Sequence, residues 1–124
     1  MRCGELKGYT GKPLKSFVCI GIGGSYLGPE FVYEALRHDK TAKSASTGFS
    51  LNFLANVDPI DFARAMEGVD IEETLFIVIS KTLTTAETML NARSAKRFLL
   101  DYYKQAYPEV AEKEFVSRHV CAVS

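Results

Sequence analysis

The sequence predicts an α/β fold built on a parallel sheet flanked by helices. Three observations carry this expectation. First, Leu75-Phe76-Ile77-Val78-Ile79 is a short apolar run with a β-branched centre, which reads as a strand buried on both faces, as in a parallel sheet. Second, such runs alternate with segments whose apolar residues recur every third or fourth position, the period of a helix packed on one face. Third, strand–helix–strand order requires right-handed crossovers, which place helices against the sheet.

Taken in order, Met1 to Ser16 is polar and carries Gly4, Gly8 and Gly11, so residues 1–16 read as an irregular lead-in and 17–124 as the folded domain. Phe17 to Ile22 reads as the first strand, and Gly23-Gly24-Ser25 as the turn after it. Gly28-Pro29 is expected to open a helix to about Leu36, because proline at a first helical position forfeits no bond. His38 to Thr47 reads as a polar loop, and Leu51 to Asn56 as the second strand. Asp58-Pro59 caps a helix with Ile60, Phe62, Ala63 and Met66 as its inner stripe, and Gly68 ends it. After the Leu75 strand, Ala86 to Tyr103 reads as a long amphipathic helix with Met89, Ala92, Ala95, Phe98, Leu99 and Tyr102 facing inward. Pro108 to Phe115 reads as a short helix and His119 to Val123 as a fourth strand. Ser124 stands where a further strand-to-loop junction is expected, so the chain reads as a piece of a longer enzyme.

Composition narrows the function classes. The chain has 124 residues, the size of one domain, and 47% of them are hydrophobic, enough for a core. Lys plus Arg equals Asp plus Glu, giving a formal net charge of zero, which argues against a nucleic-acid partner. No apolar stretch approaches about 18 residues, so no membrane partner is expected. The N-terminus lacks the apolar region of a signal peptide. Three cysteines, with Cys19 and Cys121 inside apolar runs, read as buried reduced thiols of a cytoplasmic protein. No CxxC or His-x-x-x-His spacing suggests a metal, and no cofactor is expected.

Two turns concentrate the polar chemistry. Ser80-Lys81-Thr82-Leu83-Thr84-Thr85 joins the Leu75 strand to the long helix. Hydroxyls and a lysine at a helix N-terminus, beyond the carboxyl end of a strand, suit a phosphate monoester. The competing reading is a polar, well-capped turn, since Thr84 with Glu87 fits a capping box. The other turn, Gly21-Ile22-Gly23-Gly24-Ser25-Tyr26, departs from a dinucleotide fingerprint because Tyr26 replaces the third glycine. From Gly23 to Gly28 the spacing fits a P-loop, but Pro29-Glu30 follows where Lys and Ser or Thr are required. Ser25 is not in a nucleophile elbow, because Leu27 stands at the second glycine. What remains is a glycine-rich strand-end turn that admits either a ligand or tight strand–helix packing.

Together, Gly21 to Pro29 and Ile79 to Thr88 closely resemble the two signature segments of the glucose-6-phosphate isomerase family. Gly8-Tyr9-Thr10-Gly11-Lys12 and Asn56-Val57-Asp58 are similar to it as well, so the resemblance covers nearly the whole chain. It implies a sugar-isomerase (SIS) domain, a Rossmann-like three-layer α/β/α sandwich with about four strands of its parallel sheet present here. It implies interconversion of glucose 6-phosphate and fructose 6-phosphate, in glycolysis and gluconeogenesis, by a homodimeric full-length protein. Ser80, Lys81, Thr82 and Thr85 are then expected to hold the substrate phosphate, and Gly24 and Ser25 to line the sugar. Tyr26 and Ala86 depart from the Asp and Gln frequent in the family; neither departure removes a phosphate donor, so they bear on the sugar contacts.

Aldose–ketose isomerisation passes through an enediol and needs a base between C1 and C2 and an acid/base to open the ring. The family's glutamate base, ring-opening histidine and supporting lysine and arginine lie beyond the matching segment, so no catalytic residue is expected within this chain. Glu87 reads as a capping carboxylate, and His38 and His119 as surface or packing residues. A non-catalytic SIS-type phosphosugar-binding module is the alternative reading.

Overall fold

In the computed structural model, which describes residues 5–124, the elements run β1 (Ser16–Ile20), α1 (Gly24–Leu36), α2 (Lys40–Ala45), β2 (Ser50–Leu54), α3 (Pro59–Met66), a 3-10 turn (Ile71–Glu73), β3 (Thr74–Ile79), α4 (Ala86–Ala106), α5 (Glu112–His119) and β4 (Val120–Val123). Cys3 and Gly4 lie outside the described residues. The strands form one sheet in the order β2-β1-β3-β4, and every pairing is parallel. The α/β expectation is therefore met, with helices on both faces.

Strand residues alternate between those faces. Val18, Ile20, Leu54, Phe76 and Val78 join Ala65 of α3, Ala95, Leu99 and Tyr103 of α4, and Phe115 of α5 in one buried cluster. On the opposite face Phe53, in register with Cys19, meets the Tyr26 and Tyr33 rings of α1 with centroids 5.7 and 5.9 Å apart. This second layer is thin. No residue of α1 is buried, and Phe31 stays 74% exposed.

From β1 the chain moves outward to β2, then returns across β1 to β3 and on to β4. The direction of winding thus reverses between β1 and β3, the point where open α/β sheets form a crevice beyond their strand ends.

Several local expectations are corrected. The first helix starts at Gly24, so Pro29 lies inside it and denies the Ser25 carbonyl its α-helical donor. Residues 40–45, expected as loop, form α2, because the Asp39 side chain accepts the Ala42 N–H at 2.8 Å and caps them. The last helix spans Glu112–His119 rather than 108–115, and His119 closes it instead of opening β4. In α3 the cap on Asp58 and the proline at the first turn hold, but Ile60 is 79% exposed and the buried residues are Asp61 and Ala65. In α4, Ala95 and Leu99 face inward as expected, while Phe98 and Tyr102 are exposed and Thr88, Asn91 and Tyr103 are buried. Cys19 is buried, with its thiol pKa raised by desolvation, but Cys121 is exposed on the edge strand.

Candidate functional site

The two polar turns leave neighbouring strands. Ile20 of β1 is in register with Val78 of β3, so Gly21 and Ile79 stand side by side. A Cβ at Gly21 would lie 3.1 Å from the Ile79 carbonyl oxygen, tighter than an ordinary contact. The β1–α1 and β3–α4 turns therefore emerge together at the winding reversal.

In the first turn, Gly23 adopts φ 60°, ψ −131° as the N-cap of α1, a combination essentially confined to glycine. Its carbonyl accepts the Tyr26 and Leu27 amides at 3.0 and 2.8 Å, which starts the helix. Gly24 is exposed and Ser25 half-buried at the head of α1. Tyr26 has a raised pKa, chiefly from its hydrogen bond to Glu30.

In the second turn, Ser80 is buried while Lys81, Thr82 and Thr85 are exposed. Ser80 Oγ accepts the Leu83 N–H at 3.2 Å, which leaves its own proton free to donate. Leu83 has φ 52°, an uncommon left-handed backbone for a branched side chain. Thr82 Oγ1 and Thr84 Oγ1 lie 2.7 Å apart, so one donates to the other and one hydroxyl proton stays available. The expected capping box is absent: the N-cap is Thr85 and no side chain caps α4. Its first intrahelical bond runs from the Met89 N–H to the Thr85 carbonyl at 2.9 Å, so the Ala86, Glu87 and Thr88 amides have no helical acceptor. Glu87 sits in the first turn, where its charge complements the helix dipole.

The end of β4 braces this turn. Ser80 N–H donates to the Val123 carbonyl at 3.0 Å, and Ser124 Oγ donates to the Lys81 carbonyl at 3.0 Å. The neighbouring β2–α3 turn is braced by residues that apolar periodicity passed over. Asp61 Oδ2 accepts the Ala55 and Asn56 amides at 3.1 and 3.0 Å, and Asn91 Nδ2 donates to the Asn56 carbonyl at 3.0 Å. The signal available for both was a polar residue on an otherwise inward helical face.

The arrangement offers an anion hydroxyl protons, unbonded amides, a positive helix end and one ammonium group, with no paired acid and base. Among the described residues no group of His, Cys, Asp and Glu could hold a metal ion, and no helix is long and apolar enough to cross a membrane. An apolar cleft of about 260 Å³, lined by Pro29, Val32, Tyr33, Leu36 and Leu51, lies away from these turns, because α1 runs back along the sheet from its start at Gly24. His38 is exposed and His119 is buried among packing partners.

A family profile described as Phosphoglucose isomerase matches residues 1–124. The chain is 49% identical over 123 residues to a cytosolic glucose-6-phosphate isomerase of Zea mays, covering 99% of this chain and 20% of that protein. It is 54% identical over 99 residues to the cytosolic glucose-6-phosphate isomerase of Arabidopsis thaliana, covering 80% and 18%. The chain thus spans about a fifth of the length of the curated relatives it matches. Among solved structures, a glucose-6-phosphate isomerase from Chlamydia trachomatis superposes with a TM-score of 0.55 at 28% identity, over 89% of this chain and 22% of that one. A hypothetical protein from Thermus thermophilus superposes with a TM-score of 0.61 at 25% identity, over 89% and 28%.

Proposed function

The chain belongs to the phosphoglucose isomerase family, and from that membership we propose that it is the substrate-anchoring segment of a glucose-6-phosphate isomerase. The observation that carries the reading is the pairing of the Gly23 and Ser80 turns at the reversal between β1 and β3. The whole protein interconverts glucose 6-phosphate and fructose 6-phosphate as a cytosolic homodimer of glycolysis and gluconeogenesis, with no nucleic-acid or membrane partner. Residues 1–16 are its lead-in here and 17–124 part of its SIS domain.

Ser80, Thr82 and Thr85 donate to the phosphate oxygens, the first-turn amides of α4 complete the cradle, and Lys81 supplies a cation beside the dianion. Gly24 and Ser25 wall the sugar. Holding the phosphate fixes where C1 and C2 fall, so a base on another segment meets its proton without a search. This chain anchors and orients, and does not itself move the proton.

The test is a titration of glucose 6-phosphate, glucose and inorganic phosphate against the chain and Thr85→Val. A hydrogen bond to a charged group contributes about 1.5–3 kcal/mol, so the variant should weaken sugar-phosphate binding roughly tenfold or more. Thr85 makes no side-chain cap bond, so α4 should survive the change. Glucose binding as tightly as its phosphate, or unchanged affinity in a folded Thr85→Val, would sink the assignment. A coupled assay should find no turnover by the chain alone, and turnover above background would overturn its purely anchoring role.

A further inference from the structure

His119 lies away from the strand-end turns and is fully buried. Three elements meet its ring. Nδ1 is 2.7 Å from the Thr74 carbonyl oxygen at the start of β3. Nε2 receives the Tyr9 backbone N–H at 2.9 Å from the lead-in and lies 2.9 Å from the Tyr103 hydroxyl of α4. A carbonyl only accepts, so Nδ1 carries the proton, and a backbone N–H only donates, so Nε2 presents its lone pair. The partners leave one consistent state, the neutral Nδ1–H tautomer, with Tyr103 donating as well.

Residues 6–14 of the lead-in dock here as a folded-back loop. Lys7 pairs with Pro13 in an antiparallel bridge, Gly8 N–H donates to the Lys12 carbonyl at 2.9 Å, and Leu14 N–H to the Leu6 carbonyl at 3.0 Å. A Cβ at Gly8 would collide with the Glu72 carbonyl oxygen and sit 2.6 Å from His119 Cε1, so the backbone lies directly on the imidazole. Tyr9 adds edge contacts to Tyr103 and Phe115, with ring centroids 5.5 and 4.7 Å apart.

We propose that His119 is a pH-sensitive latch on this loop, docking residues 7–13 when neutral and releasing them when protonated. A proton on Nε2 would face the Tyr9 N–H. Tyr103 can rotate its hydroxyl to accept from Nε2–H, but a backbone amide cannot accept, so the Tyr9 amide would lose its partner in a buried site.

The groups that face the ring are few. From the 3-10 turn, Glu72 favours the protonated form, but its carboxylate is engaged by Lys12 Nζ at 2.6 Å and the Tyr102 hydroxyl at 3.2 Å. From α4, Tyr103 is a buried phenol with its pKa raised by desolvation, and Tyr107 packs against Tyr9. On its own helix, Arg118 is exposed. Burial is the largest influence on His119 and lowers its pKa, against the opposing pull of the Thr74 carbonyl and Glu72. Release takes the Tyr9 donor off Nε2, so the released state binds the proton more readily. Docking is strongest with the ring neutral and weakens as pH falls through the released imidazole's pKa, by up to about tenfold in the docking equilibrium per pH unit for one proton.

The test is amide exchange at Tyr9, followed by nitrogen NMR from about pH 8 to about pH 5 and corrected for the intrinsic rate. Protection should be level above about pH 6.5 and fall roughly tenfold per unit below it, with Val18 and Ile20 of β1 better protected than Tyr9 throughout. His119→Gln, whose side-chain oxygen accepts where Nε2 does without titrating, should abolish the pH dependence. The ring-nitrogen shifts of the unmodified chain give an answer even if that variant does not fold, and should report the Nδ1–H tautomer above the transition. Level protection across the range, Tyr9 exchange that merely tracks Val18 and Ile20, a pH dependence that persists in folded His119→Gln, or an Nε2–H tautomer would each overturn the latch.

Discussion

Gly23 and Gly28 should respond to one substitution in opposite directions. A methyl group at either position meets nothing within 4 Å, so packing decides neither. Gly23 sits at φ 60°, ψ −131°, so Gly23→Ala should cost about 1–3 kcal/mol of stability from the backbone alone. Gly28 lies within α1 with no positive φ, so Gly28→Ala should gain about 0.5–1 kcal/mol. Urea midpoints at unchanged slope measure both, and a neutral Gly23→Ala would mean that the first turn has another shape. The sequence showed that this turn needs glycine, but not which one. Gly21, Gly23, Gly24 and Gly28 look alike in the chain, and only the backbone angles and the approach of Ile79 to Gly21 separate them.

At the scale of elements, a cap placed α3, whereas the cap expected for α4 is absent and Pro29 lies inside α1. Asp58-Pro59 marked α3, because a carboxylate before a proline satisfies an amide and presets φ together. Asp39 caps α2 through the Ala42 amide with no proline after it, and a helix of six residues leaves too short an apolar pattern to notice. The inner stripes failed where a polar residue was buried. Asp61 faces inward because the Ala55 and Asn56 amides need an acceptor. Asn91 does so because the Asn56 carbonyl needs a donor, and α4 turns its face accordingly. Asp61→Ala should therefore cost about 1–3 kcal/mol by stranding those amides. Arg64, 70% exposed in its ion pair with Asp61, should cost about 1 kcal/mol or less as Arg64→Ala. Paired thermal or urea melts distinguish them, and equal losses would show that the ion pair, not the amide bonds, holds the turn.

Across the whole molecule the two faces of the sheet are covered unequally. α3, α4 and α5 close one face over the main cluster. The other carries α1, with α2 beside it at Ala42; Leu27, Phe31, Val32 and Leu36 of α1 stay exposed, and Val123 on the edge strand is 49% exposed. Apolar surface beside an unpaired strand edge favours self-association. The chain should therefore sediment above monomer mass at high concentration, and Phe31→Lys should shift it towards monomer while leaving the melting curve nearly unchanged. A monodisperse monomer before any substitution would contradict this.

The sequence by itself determined the α/β class, the four strands to within one or two residues at each end, and the family, because strand runs and turn motifs are local patterns carried by neighbouring residues. It also singled out Ser80 to Thr85 as the segment we propose for an anion cradle, since hydroxyls, a lysine and a helix start are all written in consecutive positions. Only the tertiary structure decided that β1 and β3 are neighbours, which brings the Gly23 turn beside that cradle, and that Thr84 bonds Thr82 instead of capping α4. It alone made His119 the partner of Tyr9, 110 positions earlier in the chain. A buried imidazole is held by donors and acceptors that reach it through space, and no local pattern records which distant backbone amide will arrive.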